Sequence, residues 1–228
     1  MDGNEFIITV RNLETKDIKQ LNKHAGKKII VPNLFGVQRF GKNNQVIGKL
    51  ILKRDFKNAI SAILENTGQV ESKIRAFLTD NKNNYIEAIR LVPIKTRKLF
   101  VHSYQSFLFN NIILQFLKKN KDFSKIKNIE IPIIGFNFEI ESIKDKALNK
   151  IIKKMLSDEK INTRDFVINQ MPELTSEGTT RKLFFDIKDL KVSDSLDDEL
   201  NEDKKKVLVE FTLPKSCYAT TFLEFLLQ

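Results

Sequence analysis

Hydrophobic and polar positions alternate from Glu5 to Arg11, with Phe6, Ile8 and Val10 on one face and Glu5, Thr9 and Arg11 mostly on the other. This predicts a strand with one buried side. Because it lies so near the first residue, another segment is expected against its edge, since an open sheet edge is usually paired or covered. Thr15 or Asp17 then caps a short helix that turns Ile18 and Leu21 inward and ends near Gly26. Lys27 to Val31 reads as a second strand, and Gln45 to Leu52 as a third, with Gly48 at a bulge or a close backbone approach.

From Asp55 the spacing becomes helical. Phe56, Ala59, Ile60 and Ile63 recur every three or four residues until Thr67-Gly68, and helical signals continue over Val70 to Leu78 and Tyr85 to Ile89. Leu99 to Leu117 carries Phe100, Tyr104, Phe107, Leu108, Ile112, Leu114 and Phe116, apolar on nearly all sides, as expected of a helix at the centre of a helical subdomain. Gln105, Ser106 and Asn110 within it read as buried hydrogen-bonding groups. Ile131 to Ile134 is a loop or short extended piece, and Ile143 to Met155 an amphipathic helix with lysines on its outer side. Strand character resumes at Lys182 to Ile187 and Val207 to Leu213, and Tyr218-Ala219-Thr220-Thr221 opens a last helix with Phe222, Phe225 and Leu226 inward. The run Ser193 to Asp203, six carboxylates with no base, is expected to be a solvent-exposed connection. The economical architecture is α+β: residues 1–53 and 177–228 as a mixed sheet with short helices, and 54–176 as a mainly helical insertion.

Composition narrows the function. With 41% hydrophobic and 30% charged residues the chain has the balance of a soluble globular protein, with no run long enough to span a membrane and no signal-like start, so a cytoplasmic protein is expected. A single Cys217 excludes an internal disulfide, and with only His24 and His102 besides it no zinc set is expected. The net charge of +10 favours a polyanionic partner, although the wealth of Lys, Asn, Ile and Phe equally fits an AT-rich genome.

One stretch escapes any periodic pattern, Val31-Pro32-Asn33-Leu34-Phe35-Gly36-Val37-Gln38-Arg39-Phe40-Gly41. Pro32 keeps Val31 extended, and Gly36 and Gly41 admit backbone geometries closed to other residues, so a short rigid loop follows the second strand. On these residues alone, Phe35 is either a plug sealing the loop or an aromatic face offered to a nucleobase. Arg39 suits a phosphate.

The loop resembles the Asn-x-Phe-Gly-x-Gln-Arg-Phe-Gly motif of the TruD family of tRNA pseudouridine synthases, at every fixed position. Arg97-Lys98-Leu99-Phe100-Val101-His102-Ser103-Tyr104-Gln105-Ser106-Phe107-Leu108-Phe109-Asn110 and Phe211-Thr212-Leu213-Pro214-Lys215-Ser216-Cys217-Tyr218-Ala219-Thr220-Thr221 are similar to further stretches of the family, in the same order. Met171-Pro172-Glu173-Leu174 resembles its Pro-Glu-Leu region. The resemblance implies a pseudouridine synthase catalytic domain interrupted by an inserted TruD domain, with tRNA held between them. It also implies isomerisation of a tRNA uridine, at position thirteen in the best-known case, without a cofactor. Phe35 would stack the uracil. Asn33 would fix the loop or hydrogen-bond near the catalytic carboxylate, Gln38 would hydrogen-bond within the loop, and Arg39 would contact phosphate or pair with that carboxylate.

Two departures qualify these expectations. The family carries its catalytic aspartate in a Gly-x-Lys-Asp-like motif well before the phenylalanine loop, and none of Asp2, Glu5, Glu14 or Asp17 has that setting. The expectation is therefore a family member without its N-terminal part, either shortened or one half of a split enzyme completed by a separate N-terminal polypeptide. The alternative is a non-catalytic RNA-binding protein that keeps the tRNA cleft. Also, Ser216 and Cys217 stand where the family commonly has glycine and serine.

Overall fold

A computed structural model describes residues 3–120, 126, 128–187 and 189–227; Asp2, one of the carboxylates considered above, lies outside them. In chain order the elements are β1 (Gly3–Leu13), α1 (Thr15–His24), β2 (Ile29–Pro32), α2 (Asn44–Leu52), α3 (Phe56–Ile63), α4 (Gln69–Asp80), α5 (Tyr85–Arg90), α6 (Ile94–Lys119), β3 (Glu130–Ile133), α7 (Lys146–Asp158), β4 (Thr179–Lys182), β5 (Phe184–Ile187), β6 (Lys191–Val192), β7 (Leu196–Asp197), β8 (Lys205–Pro214) and α8 (Ala219–Leu226). Packing divides them into two units. The first comprises Met1–Gly36, Lys127–Ile129 and Lys182–Gln228, and the second Val37–Ile126 and Glu130–Arg181.

The alternating strands of the first unit pair as their pattern requires. β1 and β8 run antiparallel from Gly3 opposite Pro214 to Val10 opposite Val207, and β6 and β7 add to the other edge of β8. Their apolar face turns Val207, Val209, Phe211 and Leu213 into a core shared with Leu21 of α1, Phe222 and Leu226 of α8, and the β2–β5 ribbon. Phe211 is its aromatic centre, stacked on Phe6 at 5.6 Å and met edge-on by Phe222 at 4.8 Å. Each such side chain withdrawn from water contributes roughly 1.5–3 kcal/mol.

The acidic run is largely exposed, as its composition suggests, but it is also anchored by ion pairs and one buried carboxylate. A register shift at the end of β1 sets Asn12 at φ 58° and points Arg11 at the run. Asp198, with a fully buried carboxylate, accepts from Arg11 Nη1 (2.7 Å), the Asn12 N–H (2.8 Å), the Leu200 N–H and the Asn201 amide. Glu199 pairs with Arg11 and Lys206, and Asp197 with Lys205. The sequence reading missed this because Arg11 stands 187 residues from its partner.

In the second unit α6 is the central helix, burying Phe100, Tyr104, Leu108, Phe109, Ile112 and Phe116 among others, while Leu114 faces out at 46% exposure. The expected third strand is a correction: Asn44–Leu52 is helix α2, packed on α6. Ile47, Ile51 and Leu52 are its buried side chains, which is helical spacing. Gly48 does mark a close approach, because a Cβ there would lie 2.1 Å from the Phe100 carbonyl oxygen. This helix places residues 37–53 with the helical unit, whereas the reading by pattern had grouped them with the sheet. α3 and α7 add apolar stripes, Ala59, Ile60 and Ile63 on one and Leu148, Ile151, Ile152 and Met155 on the other. Tyr104 Oη donates to Glu159 at 2.8 Å, and Lys49 pairs with the same carboxylate. Burial, then this hydrogen bond, raises the Tyr104 phenol well above its usual range. Gln105, buried in α6, donates to the carbonyls of Ile134 (2.7 Å) and Glu177 (3.1 Å), tying the loops beside β3 and β4 to the helix. No helix among the described residues is long and apolar enough to cross a membrane.

Candidate functional site

In the first unit β2 delivers the chain to the motif loop and β8 delivers a second turn beside it. Pro32 closes the ribbon with β5, and the Asn33 N–H donates to the Leu183 carbonyl at 2.9 Å. The Asn33 side chain is buried at 6% exposure; its Nδ2 donates to the Lys182 carbonyl at 3.1 Å, and its Oδ1 accepts from Cys217 Sγ at 3.5 Å. The amide therefore uses its donor end on one strand and its acceptor end on the β8–α8 turn. Phe35, two residues on, is half-buried, and its ring meets Tyr218 edge to face with centroids 6.0 Å apart and planes at 63°. That arrangement suits the quadrupoles of two aromatic rings.

The β8–α8 turn is shaped by Ser216, which sits at φ +67°. This is the left-handed region that glycine enters without penalty, so the glycine common in the family at this place is accounted for by the turn itself. The Cys217 N–H closes the turn onto the Pro214 carbonyl at 3.2 Å, and Tyr218 stands at the N-cap of α8. Asn33 and Phe35 thus meet Cys217 and Tyr218 across 184 residues of sequence in the Asn33–Cys217 contact.

The rest of the motif belongs to the second unit. Val37–Arg39 is a 3-10 turn in which Gln38 is exposed. Arg39 is held by α6: its carbonyl accepts from Ser103 Oγ at 2.6 Å, and its Nε donates to Ser106 Oγ at 3.3 Å. Beside it, burial first, and then the charges of Arg39 and Lys98, push the His102 imidazole below its usual range, which favours the neutral ring. Sequence reasoning singled out Asn33, Phe35, Gln38 and Arg39; the fold brings the first two together with Cys217 and Tyr218, and the last with Ser103 and Ser106. Tyr218 went unnoticed as a ring partner, since it reads simply as the start of a helix, and the only signal was its place in a stretch resembling the family. These groups fix a loop and present aromatic surface beside it, an arrangement able to hold a flat heterocycle.

An α+β unit carrying two interlocked loops, accompanied by a helical unit, is the class of protein the fold defines. The chain belongs to the TruD family: the family model described as tRNA pseudouridine synthase D (TruD) matches residues 1–77, 65–128 and 117–225. A relative from Methanopyrus kandleri, named "Probable tRNA pseudouridine synthase D", is 27% identical over 268 positions, covering 99% of this chain and 64% of its own length. A relative of the same name from Methanococcoides burtonii is 26% identical over 303 positions, covering 98% of this chain and 68% of its own length. The crystal structure of a candidate tRNA pseudouridine synthase D (TruD) from Methanosarcina mazei superposes with a TM-score of 0.72 at 25% identity, over 97% of this chain and 68% of that one. The chain thus spans about two thirds of the length of these relatives. The alignments are longer than the 228 residues here, so the relatives also carry internal segments without a counterpart.

Proposed function

We propose that the chain provides the uridine-handling part of a tRNA pseudouridine synthase of TruD type, acting on the uridine at position thirteen of tRNA. The observation that carries this reading is the meeting of the Asn33–Phe35 loop with the Cys217–Tyr218 turn. Two separated stretches, each resembling the family, form one aromatic site. Extracting a uridine from its stack costs roughly a few kcal/mol, and stacking the freed uracil on an aromatic face returns about 1–3 kcal/mol. Phe35 is that face in our reading, with Asn33 holding the loop at a fixed height and Tyr218 setting the ring's tilt. Once the glycosidic bond is broken, a ring that stacks without hydrogen-bonding lets the base turn before it rejoins through carbon.

Gln38 and Arg39 belong to the same reading, Arg39 as a phosphate contact oriented by Ser103 and Ser106. The net charge of +10 supports a tRNA partner. In this proposal the first unit is the catalytic-domain portion, the second the inserted TruD domain, and the protein works in the cytoplasm, where tRNA is found. No Gly-x-Lys-Asp motif occurs in the 228 residues, so the nucleophilic carboxylate comes from outside them, from a separate N-terminal polypeptide or from a longer form of the chain.

The test is pseudouridine formation in tRNA, with this chain alone and with a polypeptide carrying the aspartate motif. The expected outcome is activity only in combination, abolished by Phe35→Ala with unfolding temperature unchanged. Salt-sensitive tRNA binding without activity under any complementation would replace this reading with that of a non-catalytic RNA-binding protein.

A further inference from the structure

The second unit holds a cavity of about 300 Å³ that the uridine site does not use. Its floor is apolar, made by Ile47, Ile63, Val92 and Phe100, all buried. Its polar lining is Asn44, Asn66, Gln69, Glu71 and Thr96. The side chains of Asn44, Gln69, Glu71 and Thr96 engage no hydrogen-bond partner among the described residues. Lysine and arginine are missing from the lining, which disfavours a phosphate.

The wall is assembled from the starts of three helices. Asn44 is the first residue of α2, Gln69 to Glu71 open α4, and Pro93 is the N-cap of α6, with Thr96 in its first turn. The positive ends of helix dipoles favour electronegative ligand atoms at such places. Glu71 adds the opposite demand, a carboxylate that can only accept.

We propose that this cavity binds a guanine base. A flat, uncharged heterocycle fits an apolar floor of this size, and guanine alone among the common bases offers two adjacent N–H donors for a carboxylate next to two acceptors, O6 and N7, for amide donors. Glu71 takes the N1–H and N2–H edge, and the amides of Asn44, Asn66 and Gln69 face the acceptors. The proposal rests on the RNA reading above only for the source of the base, an unpaired guanosine of the bound RNA; the pocket would make the helical unit a selector of substrate.

The test is a titration of the full chain with free nucleosides, read from the backbone amide signals of Gln69, Val70, Glu71, Thr96 and Phe100 in nitrogen-15 spectra. Guanosine is expected to shift these signals, inosine, which lacks the exocyclic amine, to bind about tenfold more weakly, and uridine and inorganic phosphate to leave them in place. Glu71→Gln should cost guanosine about tenfold, and Val70→Trp, which fills the cavity from its rim, should abolish the shifts while the remaining spectrum stays folded. Phe35→Ala should change nothing here, so failure of the uridine reading and failure of this one are distinguishable. Equal shifts from guanosine, inosine and uridine, shifts from indole but from no nucleoside, or an unaltered guanosine affinity in Glu71→Gln would each overturn the assignment.

Discussion

Asn33 and Ser216 show how single positions hold the site. An amide bonded at both ends has no freedom to spare, and Asn33 fixes the loop two residues before Phe35. Ser216 does the reverse, accepting a left-handed backbone that costs a residue with a Cβ about 1 kcal/mol or more. Ser216→Gly is expected to stabilise the protein by about 0.5–1 kcal/mol, the relief being partly offset by the freer unfolded chain. A thermal melt checks this, with a rise of roughly 1–4 °C expected. An unchanged or lowered midpoint would mean that the serine side chain holds the turn. Of these particulars the sequence shows the loop, through Pro32, Gly36 and Gly41, and the unusual residues at 216 and 217. It does not show Tyr218 against Phe35, because nothing local in either stretch encodes a contact between two ends of the chain.

At the scale of elements, α2 is instructive. Gln45 to Leu52 is rich in β-branched and apolar residues, and a short apolar run does not distinguish strand from helix by period alone. Its long-range partner decides: α6 offers a groove that a helix with glycine at its centre can enter closely. Helix propensity by itself predicts that Gly48→Ala stabilises by about 1 kcal/mol. The added Cβ would instead meet the Phe100 carbonyl, a backbone atom that cannot step aside, and overpacking of this kind costs about 1–3 kcal/mol. Net destabilisation in a urea titration is therefore expected, and stabilisation would refute the helix–helix contact. By contrast, β1, β8, α3 and α7 are legible because each has one clear apolar face and a period that nothing else disputes, and α6 because its apolar run is too long for a strand.

Across the whole molecule, the two units are expected to respond to acid in different windows. His102 in the second unit has its imidazole lowered by burial and then by Arg39 and Lys98. The unfolded chain thus takes up a proton more readily than the folded one, and the second unit loses stability as the pH falls below about 6.5, the unfolded value. In the first unit Glu199, held down to about 2 by Arg11 and Lys206, contributes stability above its unfolded value of 4.5 that is lost as the pH falls from there towards 2. Amide exchange at pH 7, 5.5 and 3.5 should show the first loss around α6 and the second around Asn12 and Asp198. His102→Gln should remove only the former and Arg11→Met weaken only the latter, whereas one common transition in both variants would contradict the assignment. The acidic run is largely exposed, as its composition predicts, but its pairing with Arg11, Lys205 and Lys206 is a property of the folded chain that composition does not show.

The most direct measurement places a photoreactive 4-thiouridine at position thirteen of an otherwise normal tRNA, irradiates it with the full chain, and maps the crosslink by mass spectrometry. The account predicts attachment within the peptide carrying Phe35 or the one carrying Tyr218, and loss of that product in Phe35→Ala while salt-sensitive binding persists. Efficient crosslinking confined to the helical unit, or a pattern indifferent to Phe35→Ala, would contradict it.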